Sequence, residues 1–150
     1  MRTHNKAGLL LIITLLCLLP FAAQAERSVT FGDYTLHYNV ITTDNLQPEV
    51  AKAYEISRSK NRAMLNIVIL KNVMGTPGQP VTGKLTGTAK NLSNQMRTLA
   101  MREIQEANAI YYISEFRVSN NEVLNFDIDV LPVGEKQAYT LKFKQQFFTN

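Results

Sequence analysis

The sequence predicts an all-β protein, an antiparallel β-sandwich. Two observations carry this. Leu124, Phe126, Ile128 and Val130 alternate with Asn125, Asp127 and Asp129, and Tyr139, Leu141, Phe143 and Phe147 alternate with Thr140, Lys142, Lys144 and Gln146. A strict two-residue period with one apolar and one polar face marks antiparallel strands wet on one side. Ala109 to Val118, read Ala-Ile-Tyr-Tyr-Ile-Ser-Glu-Phe-Arg-Val, is dense in the aromatic and β-branched residues that suit a pleated surface.

The chain of 150 residues begins with an address rather than a fold element. Arg2, His4 and Lys6 precede an apolar run from Ala7 to Leu19; Pro20 breaks it, and Ala23-Gln24-Ala25 supplies small residues for a signal peptidase. This pattern predicts a secretory signal over residues 1–25, cut between Ala25 and Glu26, and a single domain over 26–150. The apolar core is about 13 residues, against roughly 20 needed to span a bilayer, so no stable membrane anchor is expected after cleavage. Lipidation at Cys17 needs a small residue before it, and Leu16 stands there. The expected compartment is the periplasm.

Without the leader the chemistry narrows. Arg2 and Lys6 leave with it, so fourteen basic residues face twelve acids, a net charge of +2. Nothing in that balance calls for nucleic acid. Cys17 is the only cysteine, so the mature domain has no disulfide, thiolate metal site or cysteine nucleophile and must be stabilised by its core.

Arg27–Phe31 and Tyr34–Thr43 read as strands around Gly32-Asp33, with Tyr34, Leu36, Tyr38 and Val40 on one face. Leu46 to Ile56 spaces Val50, Ala51, Ala53 and Tyr54 for a short helix with Pro48 in its first turn and Asp44 or Asn45 as N-cap, expected to close one end of the sandwich. Ala63–Leu70, a nearly unbroken apolar run, reads as a strand covered on both faces. Val81–Ala89 reads as an exposed strand, possible at an edge. In 91–107 the local pattern favours a helix, because Leu92, Met96, Leu99, Ala100, Ile104 and Ala107 recur at helical spacing. In the last third, pairing Asp127 with Lys142 sets Phe126 opposite Phe143, Ile128 opposite Leu141 and Asn125 opposite Lys144, so apolar and polar pairs agree on one register.

Five strings go beyond pattern: Ala109-Ile-Tyr-Tyr-Ile, Leu124-Asn-Phe-Asp-Ile-Asp-Val-Leu-Pro, Phe143-Lys-Gln-Gln-Phe-Phe, Pro48-Glu-Val-Ala-Lys-Ala-Tyr and Arg58-Ser-Lys-Asn-Arg-Ala. With them the mature chain resembles a family of small exported proteobacterial proteins catalogued only as a domain of unknown function. The resemblance implies an immunoglobulin-like sandwich in the periplasm and carries no activity or site residues. It also implies a strand over 95–105, hairpinned to the Tyr111-Tyr112 strand, against the local helical pattern. The expectation is thus seven to eight strands with one short helix near 48–56.

The search for chemistry yields little. His37 is the only histidine after the leader, and neither a triad nor a transition-metal site can be assembled around it from spacing. Asp127 and Asp129, with Glu115, could hold a hard cation, but Lys142 and Lys144 neutralise them more simply. No loop has the phosphate-cradling pattern. No cofactor and no catalytic set is predicted. Two surfaces stand out for partner binding: Tyr111 and Ile113 on the outer face of their strand, an apolar patch if uncovered, and the basic loop of Arg58, Lys60 and Arg62. The residues point to a non-enzymatic binding or accessory module that holds an envelope or periplasmic protein through a strand edge or apolar sheet patch. The alternative is a ligand-binding protein or enzyme with a site at one end of the sandwich, using His37 or the loop Arg58–Arg62.

Overall fold

The computed structural model describes residues 27–150; the leader expected over 1–25 lies outside them. Ten strands form two antiparallel sheets. They are β1 (Arg27–Phe31), β2 (Tyr34–Thr42), β3 (Arg62–Lys71), β4 (Gln79–Pro80), β5 (Gly83–Asn91), β6 (Met96–Leu99), β7 (Arg102–Glu106), β8 (Ala109–Arg117), β9 (Glu122–Pro132) and β10 (Tyr139–Phe147). One sheet runs β1-β2-β3-β8-β7, with the two-residue β4 paired to β3; the other runs β10-β9-β5-β6. The expected sandwich is the observed one. It has two more strands than expected because of β4 and because 95–105 is two strands.

That split settles the conflict in the sequence. Met96–Leu99 pairs with β5 in one sheet, and Arg102–Glu106 pairs with β8 in the other, so the chain changes sheets at Ala100-Met101. The helical stripe is not a core face: Leu92 and Met96 are exposed. The edges of β5 and β8 offer backbone partners that an isolated helix cannot match, and tertiary pairing overrides local propensity. The β7–β8 hairpin is the one the resemblance implied.

The core lies between the sheets. Leu36, Leu65, Ile67 and Ile69 from one meet Leu124, Phe126, Ile128 and Val130 from the other, all fully buried or nearly so. Phe126 is its centre, stacked on Phe143 at 4.5 Å and edge-on to Phe116 across the sandwich at 5.7 Å. The β9–β10 register is the one expected, Phe126 opposite Phe143 and Asp127 opposite Lys142. The Lys142 Nζ to Asp127 Oδ2 contact is 2.7 Å and well exposed, so it contributes only about 0.2–1 kcal/mol. Gln145, the polar residue on the apolar face, accepts from Arg27 at 3.0 Å and donates to the Val40 carbonyl at 3.2 Å, joining β10 to the other sheet.

Val81–Ala89 is corrected from an exposed or edge strand: β5 is an inner strand between β9 and β6. Its small residues face a crowded interior. A Cβ on Gly83 would lie 2.8 Å from Ile69 Cδ1 and 2.9 Å from the Leu131 carbonyl oxygen. The backbone oxygen cannot swing away, so Gly83→Ala is expected to cost about 1–3 kcal/mol by overpacking; urea unfolding checks this, and an unchanged midpoint would refute it. The Gly83 N–H also donates to the Tyr112 hydroxyl at 2.8 Å, which donates to Glu103 Oε2 at 2.7 Å. Burial pushes the Tyr112 pKa up to about 12, reinforced by Glu103. Tyr112 therefore ties β5 and β7 through β8. Ser114, on the same core face, is buried with its hydroxyl oxygen unpartnered.

Two carboxylates are held ionised by the fold, which is expected to make it acid-sensitive. Burial pushes Glu122 up, but Arg97 at 2.6 Å and the Ser119 N–H at 3.0 Å outweigh it and hold the carboxyl below the ordinary 4.5. Hydrogen bonds from Tyr112 and then Gln105 hold Glu103 below the same value. A carboxylate lowered on folding stabilises fully above its unfolded pKa and loses that contribution as pH falls through the folded one. Glu122→Gln is therefore expected to flatten the fall in Tm as pH drops below 4.5; an acid limb as steep as wild type would refute the assignment.

Candidate functional site

The outer face of the six-stranded sheet carries more apolar surface than water tolerates. Met64 on β3, Tyr111 and Ile113 on β8 and Ile104 on β7 share it, brought level by the pairings Met64 with Glu115, Ile113 with Asn66 and Ile104 with Tyr111. A six-residue helix, α1 (Pro48–Ala53), lies across this face. The helix is where the sequence put it, with Pro48 in its first turn; the expectation that it closes one end of the sandwich is corrected. Its N-cap is Gln47, without a side-chain cap bond, rather than Asp44 or Asn45. Asn45 instead donates to Thr42 at 2.7 Å.

The helix seals this face incompletely. Ala51 and Ile56 bury against Ile113, while Leu46, Tyr54, Met64, Ile104 and Tyr111 pack around them half-buried. Between helix and sheet remains a cavity of about 290 Å³ with apolar walls, to which Val50 and Asn66 also contribute. Asn66 is the exception among its lining residues: the side-chain oxygen is buried and has no hydrogen-bond partner. The C-terminal end of the helix is strapped to β7. Arg102 donates to the Tyr54 carbonyl at 2.6 Å, and the Tyr54 hydroxyl donates to Glu106. That bond first and burial second push the Tyr54 pKa up.

Of the surface residues singled out by sequence, Ile113 is 5% exposed beneath the helix and Tyr111 is half-buried on the cavity wall. They form the floor of a covered site rather than an open patch. The basic residues go separate ways. Arg58 donates to the Asp44 carbonyl at 2.7 Å, fastening the 3-10 turn Thr43–Asn45. Lys60 is exposed. Arg62 opens β3 and reaches Glu115 at 3.2 Å. Below the loop, buried Thr43 donates to the Ser57 carbonyl and accepts from the Ser59 N–H, both at 2.9 Å. His37 is mid-strand, opposite Ser28 and Val68, and is not brought together with the loop.

Leu46, Ile56, Met64, Asn66 and Ile104 were not singled out. The available signal was slight: Asn66 is the one amide in an eight-residue apolar run, and Ile104 is the one apolar residue between Arg102-Glu103 and Gln105-Glu106.

Residues 28–150 match the family described as a domain of unknown function, DUF4426, and the chain belongs to it. A DUF4426 protein of Pseudomonas aeruginosa PAO1 is 37% identical, with a TM-score of 0.72 over 85% of this chain and 98% of that one. FetP of uropathogenic Escherichia coli strain F11 is 9% identical, with a TM-score of 0.58 over 82% and 93%; a copper-bound variant of FetP scores 0.59 over 84% and 97%, also at 9% identity. The FetP likeness is one of fold. No match was found among curated proteins.

Proposed function

We propose that this DUF4426 chain is a non-enzymatic binding module of the periplasm, and that it holds a small, largely apolar molecule bearing one N–H or O–H donor in the cavity under α1. The observation that carries this is Asn66, whose side-chain oxygen is buried and unpartnered on the wall of an otherwise apolar cavity. A buried acceptor without a partner costs about 1–3 kcal/mol, and a ligand donor would recover it. The volume stands at the small end of ligand sites, roughly 300–1,000 Å³. It suits one fused aromatic ring pair or a short acyl segment rather than a lipid. With Ile113 covered, the outer face favours a small ligand over the docked protein that an open patch would hold.

The titratable groups among the lining residues are Tyr54 and Tyr111. The Tyr54 hydroxyl already donates to Glu106, and its raised pKa makes it a poor general base at neutral pH. Periplasmic residence rests on the leader pattern at residues 1–25. The copper of the FetP variant does not carry over. Copper sites draw on imidazole, thioether and thiolate; the described residues hold no cysteine and one histidine, His37, whose cross-strand partners are Ser28 and Val68 and not any of the four methionines Met64, Met74, Met96 and Met101. They contain no group of three or more His, Cys, Asp or Glu placed to hold a metal.

The test is an amide chemical-shift titration of the folded domain with indole, which has one N–H donor on a fused ring pair. Saturable shifts clustered at Leu46, Val50, Met64, Asn66, Ile104 and Ile113 are expected. Shifts confined to the four-stranded sheet, or none at millimolar indole, would overturn the reading.

A further inference from the structure

A second concavity stands where β3 begins and β8 ends. It has a volume of about 590 Å³ and is lined by Ser59, Asn61, Arg62, Arg117, Ser119 and Asn120, with Val118 at its base. Its two guanidinium residues are direct cross-strand partners, Arg62 opposite Arg117. Like charges set directly opposite destabilise a sheet. Only one of them is offset locally, by Glu115 at 3.2 Å from Arg62 Nη2. The Arg62 Nε is buried and unpartnered. Arg117 is exposed, and its side chain makes no hydrogen bond or ion pair among the described residues. Glu122, the other nearby acid, is engaged by Arg97 and by the Ser119 N–H.

We propose that this pocket binds a small oxyanion, a carboxylate or phosphoryl group, between Arg62 and Arg117. A guanidinium presents parallel N–H donors whose geometry matches the two oxygens of such a group, and an anion placed between the two would turn their repulsion into a shared attraction. Hydroxyl and amide donors complete the ring. The Ser59 oxygen accepts from the Asn61 N–H at 3.1 Å, which leaves its O–H to donate. Asn120 accepts from the Thr149 N–H at 3.0 Å through its side-chain oxygen, which leaves its NH2 to donate. The floor is firm, because the Val118 N–H bonds the Asn61 carbonyl at 3.0 Å and holds the two loops together. A small ligand fits better than a polyanion: the net charge of the domain is +2, too little for a long-range field, and two basic groups, Arg62 and Arg117, line the pocket. This site is separate from the cavity under α1 and does not depend on it.

The test is titration of the folded domain with inorganic phosphate and with succinate, at constant ionic strength against a chloride control. Saturable binding of at least one anion in the millimolar range is expected, with the tighter of the two identifying the group as phosphoryl or carboxylate. Arg117→Gln and Arg62→Gln should each weaken it about tenfold or more, and Lys60→Gln by no more than about twofold. Arg117 is exposed, so its replacement leaves the fold intact. No saturable binding above the chloride control, or equal binding by wild type and Arg117→Gln, would overturn the proposal.

Discussion

Replacing Phe126 with Ala is expected to destabilise the domain by about 3–5 kcal/mol, the range for truncating a buried phenylalanine. Phe126 is 2% exposed and touches aromatic rings from both sheets, Phe143 at 4.5 Å and Phe116 at 5.7 Å. Its removal opens a cavity at the point where the sheets interlock. A domain of this size has roughly 5–15 kcal/mol in hand, and the described residues contain no cysteine that could supply a cross-link. Thermal unfolding should fall by on the order of 10–20 °C. A drop below about 5 °C would mean that the sheets are held together elsewhere. Lys142→Ala, on the opposite face of the same sheet, removes an exposed ion pair and should cost no more than about 1 kcal/mol; the contrast separates core packing from surface charge.

The second large effect concerns Asn66. Asn66→Leu is expected to raise stability by about 1 kcal/mol, because it replaces an unpartnered buried acceptor with an apolar group of similar volume. The same substitution should abolish any preference for a ligand with an N–H donor. A residue that serves only the fold would behave oppositely: its loss would lower the unfolding midpoint and leave ligand preference unchanged. The two signs, read by thermal unfolding and by titration, distinguish a site kept ready for a ligand from a structural amide.

The parts of the fold legible in the sequence were those set by local alternation. β9 and β10 could be paired to the residue because apolar and polar partners agreed in only one register. The helix at Pro48 was legible from its proline and alanine spacing, but its position was not, because what it covers is set by Met64, Ile104 and Ile113 on three strands remote in sequence. Met96–Glu106 defeated local reading for a similar reason: two backbone ladders, one in each sheet, outweigh a helical pattern whose apolar residues Leu92 and Met96 end in water. Tyr111 and Ile113 were noticed as outward apolar residues. Their role as the floor of a cavity depends on the helix above them, and that of Asn66 on its being the polar exception there. Arg62 was seen as part of a basic loop, whereas Arg117 became relevant only through a β3–β8 register that no local pattern reveals.

The central claim, a cavity that selects a small donor-bearing apolar ligand through Asn66, is tested most directly by comparing the affinities of indole and indene. The two are close in shape and differ in the ring N–H. The account predicts that wild type binds indole about tenfold tighter or more, the equivalent of one satisfied buried hydrogen bond, and that Asn66→Leu binds the two equally or prefers indene. Equal affinities in wild type, or an indole preference that survives in Asn66→Leu, would contradict it.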